Sequence, residues 1–130
     1  MKIMICYDGS RSSREALRLA REHAKALNGS VTIVTSMTRG TESEKGDIER
    51  AELDLEFEKK ACLDEGIECA THLLIRGLSS GEDLVQFAEE EMVDEIIIGI
   101  KRRSKVEKLV FGSTAQFVIL KAHCPVVTVK

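Results

Sequence analysis

The residues best suited to chemistry lie in two short runs. Gly99 and the pair Gly112-Ser113 bracket a loop that carries Lys101, Arg102, Arg103 and Lys105, and Thr114 follows directly. A loop with glycine at each end, cationic side chains inside and a helix starting behind it offers N–H groups and positive charge to one anion, most naturally a phosphate. The second run is Asp8-Gly9-Ser10. A carboxylate there can take hydrogen bonds from the hydroxyls of a ligand, or the Asp-Gly can simply turn the chain into a helix. Ser113 carries the same pair of readings, because serine at a helix start is an ordinary N-cap. Arg102 can grip a phosphate with its planar guanidinium or be a solvated loop charge.

Both runs need elements to hold them. Residues 95–99 contain three adjacent isoleucines, Ile96, Ile97 and Ile98, which reads as a strand buried on both faces. Residues 2–7 are almost as apolar and make a first strand. Residues 30–37, 67–75 and 125–129 supply three more, with Pro125 at a strand start or on an edge because it lacks a donor. Between the strands run helical patterns. Ala16, Leu17, Ala20, Ala24 and Leu27 share one face of the first helix, which Asn28-Gly29 ends. A polar loop over residues 38–47, containing Gly40 and Gly46, precedes a long helix over residues 48–65 with Ile48, Ala51, Leu55 and Cys62 inward and Gly66 as its cap. A third helix over residues 82–91 turns Leu84, Val85, Ala88 and Met92 inward, and a fourth after Gly112 turns in Ala115, Val118, Ile119 and Ala122.

Strand and helix thus alternate four times before a last strand. That order implies an α/β fold, a doubly wound five-stranded parallel sheet with helices on both faces. Ligands of such sheets bind beyond the carboxyl ends of the strands where the winding reverses. The two most apolar strands, the first and fourth, are expected to be central neighbours, and their carboxyl ends carry Asp8 and Gly99.

Composition narrows the classes. The chain has 130 residues, 43% hydrophobic and 32% charged, with formal net charge −3. That suits one globular domain and argues against general nucleic-acid binding, which needs a strongly basic face. No apolar run approaches the roughly 20 residues of a membrane helix, and the apolar start is too short for a signal peptide, so a cytoplasmic location is expected. Cys6, Cys62, Cys69 and Cys124 show no Cys-x-x-Cys spacing and read as reduced, small apolar side chains. His23, His72 and His123 are isolated, so no metal site is expected.

Three segments together resemble the universal stress protein family: Tyr7-Asp8-Gly9-Ser10, then Gly99-x-x-Arg102-x9-Gly112-Ser113, then Cys124-Pro125-Val126-Val127-Thr128-Val129. The likeness covers residues 1–130 as a single domain. The family pattern is Gly-x-x-Gly-x9-Gly-Ser/Thr, and this chain departs from it at Arg102. The resemblance implies a Rossmann-like, adenine nucleotide alpha hydrolase-like fold whose loop wraps the phosphates of ATP, accompanied by a divalent cation such as Mg. Carried over residue by residue, Asp8 and Ser36 would sit near the adenosine, Gly99 and Arg102 would flank the phosphates, and Gly112, Ser113 and Thr114 would donate to them. It also implies a homodimer joined through Val126, Val127, Thr128 and Val129, and a regulatory role in stress responses. A second branch of the family lacks the glycine pattern and does not bind ATP, so Arg102 leaves open an alternative, a dimeric interaction module without nucleotide.

An enzyme is the third reading. The phosphate loop of an ATP-pyrophosphatase needs Ser-Gly-Gly-x-Asp-Ser after its first strand, and Asp8-Gly9-Ser10-Arg11-Ser12-Ser13 lacks the double glycine. No catalytic residues are assigned, and slow hydrolysis would have only Asp8 as its base.

Overall fold

The computed structural model describes residues 1–38, 45–100 and 111–130. Gly40 and the cationic loop residues Lys101, Arg102, Arg103 and Lys105 therefore lie outside the described residues. In chain order the elements are β1 (Lys2–Cys6), α1 (Arg11–Leu27), β2 (Ser30–Ser36), α2 (Lys45–Asp64), β3 (Cys69–Leu74), α3 (Ser80–Glu90), β4 (Glu95–Gly99), α4 (Ser113–Lys121) and β5 (Val126–Val129). The strands form one five-stranded sheet in the order β3-β2-β1-β4-β5, and every pair is parallel.

The centre of the sheet is where the apolar runs put it. β1 and β4 are neighbours, with Ile3 opposite Glu95 and Cys6 opposite Ile98. Side chains alternate across a strand. Ile3, Ile5, Val31, Ile33 and Ile97 pack on one face with Ala16, Leu17 and Ala20 of α1 and with Leu55 and Cys62 of α2. Met4, Cys6, Val34, Ile96 and Ile98 pack on the other with Leu84, Phe87 and Ala88 of α3 and Ala115 and Val118 of α4. Strands buried on both faces have no polar side to show, which is why their sequences are continuous apolar runs.

The helix ends follow local chemistry. Ser10 caps α1, accepting from the Ser13 N–H at 3.3 Å, and Ser79 caps α3, accepting from the Glu82 N–H at 3.4 Å. Gly66, at φ +78°, closes α2, with the Gly66 N–H bonded to the Leu63 carbonyl and the Ile67 N–H to the Cys62 carbonyl, a Schellman arrangement. At the end of α1 the left-handed residue is Asn28, at φ 53°. Gly29 is required for a different reason: a Cβ there would stand 2.8 Å from the Met1 carbonyl oxygen.

Several expectations need correction. α2 begins at Lys45, three residues before the apolar pattern starts, so residues 45–47 are helix rather than loop, and α3 begins at Ser80 rather than at residue 82. β3 is shorter than residues 67–75. Leu27 is 54% exposed, because it is the final residue of α1 and lies past the last buried turn. Met92 is 78% exposed: α3 stops at Glu90, and Met92 takes the left-handed position after it at φ 51°. Ile119 is also exposed, since α4 turns only Ala115 and Val118 into the core.

Candidate functional site

β1 is followed by α1 and then β2 on one side, whereas β4 lies on its other side, so the winding reverses between β1 and β4. The carboxyl ends of the strands diverge there and leave a crevice. A cavity of about 330 Å³ occupies it, within the size range of small-molecule sites.

Each wall of the cavity comes from a different element. β1 contributes Cys6 and is followed by Tyr7 and Asp8; β2 contributes Val34 and Ser36; β4 contributes Ile98 and Gly99, followed by Ile100. Three helix starts meet the same space: Ser10 and Ser13 at α1, Ser80 and Leu84 at α3, and Gly112, Ser113, Thr114 and Ala115 at α4. Six of the seven residues expected at the site therefore line one cavity: Asp8, Ser36, Gly99, Gly112, Ser113 and Thr114. Arg102, the seventh, lies outside the described residues. In particular, Gly99 and Gly112 face one shared space despite their separation in sequence.

The first loop is shaped by hydrogen bonds. Gly9 adopts φ +80°, a conformation suited to glycine. The Asp8 carboxylate accepts from the Ser10 N–H at 2.9 Å, and the Asp8 N–H donates to Ser13 Oγ at 3.4 Å. Ser13 Oγ donates in turn to the Ser10 carbonyl at 2.9 Å. Tyr7 is tied to β2 by its N–H to the Val34 carbonyl and by Thr35 Oγ1 donating to its own carbonyl, each at 2.8 Å. On the far wall, Arg76 clamps the turn leading into α3. Its Nε donates to Asp83 Oδ1, its Nη2 to the Asp83 carbonyl at 3.2 Å, and its Nη1 to Glu90 Oε2 at 3.0 Å. This clamp fixes the helix start that presents Ser80.

Gly99 has a structural task that its sequence context conceals. A Cβ on it would stand 2.5 Å from the Ser12 backbone carbon and 2.7 Å from the Ser12 carbonyl oxygen. The first turn of α1 lies against the end of β4, and only glycine permits that approach. Gly112, by contrast, has open space around its missing Cβ. It is also the N-cap of α4, with no side-chain capping bond, so Ser113 is the first residue of the helix rather than its cap. The N–H groups of Ser113, Thr114 and Ala115 have no intrahelical acceptor, as at the start of any helix, and they carry the positive end of its dipole.

The remaining polar features suit a ligand with a hydroxylated part and an anionic part. Ser36 Oγ is buried with no hydrogen-bond partner among the described residues, and a buried hydroxyl left so is costly unless a ligand engages it. Burial, and then the charge of Asp8, push the Cys6 thiol up to about 12, so it stays a neutral, apolar part of the floor. Burial and then Glu58, which accepts from the Tyr7 hydroxyl at 3.2 Å, push the Tyr7 phenol up to about 12. Among the described residues no three His, Cys, Asp or Glu side chains are grouped to hold a metal. The histidines have other partners: His23 Nδ1 pairs with Glu95 at 2.8 Å, His72 stacks at a tilt on Phe87, and His123 Nε2 meets the Val93 carbonyl.

Sequence reasoning missed Ser80, Ser13 and the apolar wall of Val34, Leu84 and Ile98. A signal for Ser80 was available. Every helix of a doubly wound sheet starts at the carboxyl edge, so each serine-rich helix start was a candidate, including Ser79-Ser80.

Comparison with known proteins agrees with the architecture. The model of the Universal stress protein family matches residues 1–130. A universal stress protein of Methanocaldococcus jannaschii is 31% identical over 140 residues, spanning 99% of this chain and 81% of the relative. A solved universal stress protein structure from Archaeoglobus fulgidus is 37% identical with TM-score 0.87, covering 100% of this chain and 93% of that one. A universal stress protein from the same organism, solved in complex with dAMP, is 35% identical with TM-score 0.84 and covers 100% of this chain and 98% of its own. Among the described residues no helix is long and apolar enough to cross a membrane.

Proposed function

This chain belongs to the universal stress protein family, and on that premise we propose that the cavity between β1 and β4 binds an adenine nucleotide, specifically ATP. The observation that carries the reading is the convergence of Asp8, Ser36, Gly99, Gly112, Ser113 and Thr114 on one cavity at the reversal of winding. The Archaeoglobus fulgidus relative solved with dAMP, similar along the whole chain, supports the same ligand class.

In this reading Asp8 and Ser36 take the nucleoside hydroxyls and base edge, while Val34, Leu84 and Ile98 form the apolar wall for the ring. The amide-rich start of α4 receives the phosphates, with Arg102 supplying charge from the loop in place of the family's glycine. A divalent cation such as Mg²⁺ would be held mainly by the phosphates and water, as that ion prefers. The nucleotide state is what the protein reports, as a regulatory, cytoplasmic homodimer of single-domain subunits. Its dimer contact is β5, the last strand of the sheet among the described residues, where Val126, Val127 and Val129 are half-buried.

Isothermal titration with ATP, AMP and dAMP, with and without Mg²⁺, tests the ligand. The expected result is saturable ATP binding that weakens at least about tenfold, roughly 1.4 kcal/mol, in Asp8→Ala. No binding at millimolar ATP would remove the proposal, and ATP affinity gained only in Arg102→Gly would favour the nucleotide-free interaction module. Light scattering on Val127→Asp tests the interface separately. It should convert a dimer to a monomer, and an unchanged mass would exclude β5.

A further inference from the structure

Two serines stand next to each other at the start of α3 and have different tasks. Ser79 is the N-cap, and its Oγ accepts from the Glu82 N–H at 3.4 Å. Ser80 is the first residue of the helix and lines the cavity. The Ser80 hydroxyl makes no hydrogen bond among the described residues. Because its neighbour does the capping, this hydroxyl is available to a ligand.

The turn that carries Ser80 is held from two sides. Arg76 grips Asp83, which is fully buried, through both its carboxylate and its carbonyl. On the other side a Cβ on Gly81 would stand 2.8 Å from Phe117 Cβ, so α3 lies close against α4. A hydroxyl on a turn so placed is pre-organised, and a ligand that meets it has little ordering to cost it affinity. The sheet sets which part of the cavity Ser80 shares. Side chains alternate across a strand, so Val34 and Ser36 point to the same face of β2, where Val34 packs with Cys6, Leu84 and Ile98. Ser80 and Leu84, one turn apart on α3, line the cavity on that same side of the sheet. This compartment is apolar and carries no charged side chain. Its polar groups are two hydroxyls, Ser80 Oγ and Ser36 Oγ, the second buried and without a partner among the described residues.

An uncharged compartment with apolar walls and two hydroxyls suits a flat ring with a polar edge rather than a phosphate or a cation. We propose that Ser80 is a base-reading residue: with Ser36 it hydrogen-bonds the edge of a purine, and so favours a purine nucleotide over a pyrimidine one. The inference rests on the nucleotide reading and adds to it the side chain that selects the base. A hydroxyl both donates and accepts, so the pair can meet a ring nitrogen and an exocyclic group at once. A pyrimidine is one ring shorter. With its sugar and phosphates held in place, its edge does not reach both hydroxyls, and the unmatched one penalises it.

Competition titrations of ATP and CTP against the full-length protein test this. The unmodified protein should bind ATP more tightly than CTP. Ser80→Ala should lose about fivefold in ATP affinity, the effect of one neutral hydrogen bond, and keep its CTP affinity within about twofold. Its thermal midpoint should not move, because Ser79 still caps the helix. Equal losses for both nucleotides would put Ser80 against sugar or phosphate and overturn the proposal. So would an ATP affinity that the substitution leaves untouched, or an unmodified protein that does not distinguish the two nucleotides. In each of these outcomes the nucleotide reading survives. Failure of the unmodified protein to bind either nucleotide removes that reading and this inference together. If Ser80→Ala does not fold, Ser80→Gly removes the same hydroxyl and decides.

Discussion

Cys6 and Cys62 are both buried thiols, one on β1 at the centre of the sheet and one on α2 at its margin. Around Cys6 the walls are apolar and the nearest charge is the negative Asp8, so the thiol is held neutral. At Cys62 the influence of the Cys69 thiol and then of the Arg21 guanidinium lowers the pKa against the opposing effect of burial. Two buried thiols shift in opposite directions because burial only raises the cost of charge, whereas the neighbours decide whether that cost is met. The same contrast separates the helices on that face. α1 buries Ser13, Ala16, Leu17, Ala20 and Ala24 over the central strands, and α2, though longer, buries two residues and leaves Leu53 and Phe57 in solvent. The centre is fixed by packing. The margin leans on polar ties, such as Glu65 to Arg21 and Lys25, and Glu58 to Tyr7.

Alkaline pH should separate the two regions most. Cys6 binds its proton more tightly folded, at about 12, than in its ordinary state at 9.0. The unfolded chain therefore releases that proton first, and stability falls as pH rises from 9 to 12, by up to about 4 kcal/mol for this group. Urea unfolding at intermediate steps of pH should show Cys6→Ala losing much of that slope. For Cys62, whose pKa is lowered, the sign is opposite: its contribution is lost as pH falls, so Cys62→Ala should not flatten the alkaline slope.

Gly99→Ala should cost about 3 kcal/mol, because the new methyl group meets Ser12 backbone rather than a flexible side chain. It should also weaken nucleotide binding by displacing the start of α1. Gly112→Ala, with open space around it, should stay within about 1 kcal/mol. Equal losses in denaturant titrations would mean that α1 does not depend on Gly99.

Truncation in the two helices should differ less. Leu17 and Leu55 are both nearly inaccessible. Leu17→Ala leaves a cavity between α1 and rigid central strands and should cost about 3 kcal/mol, whereas α2 can settle toward β3, so Leu55→Ala should cost about 2 kcal/mol. A larger loss at Leu55 would contradict the picture of a lightly held margin. The smallest effect is at the turn itself. Gly66→Ala forces an L-residue to φ +78° and should cost about 1 kcal/mol.

What the chain alone determined was everything local and periodic. Three consecutive isoleucines declare a strand covered on both faces, alternation of strand and helix declares a parallel sheet, and Asn28 and Gly66 mark helix ends because few residues tolerate left-handed backbone. Central first and fourth strands put Asp8 and Gly99 at one place, and the glycine-bracketed loop adds Gly112 to it. Tertiary structure alone decided which distant groups touch. It brought Ser80 to the cavity, set Ser12 against Gly99, joined Arg76 to Asp83, and left Met92 and Ile119 outside the core. Hydrophobic spacing records which face of an element is buried, but not where the element stops or which neighbour covers it. Those follow from how whole layers close on one another, a property that no short window of sequence contains.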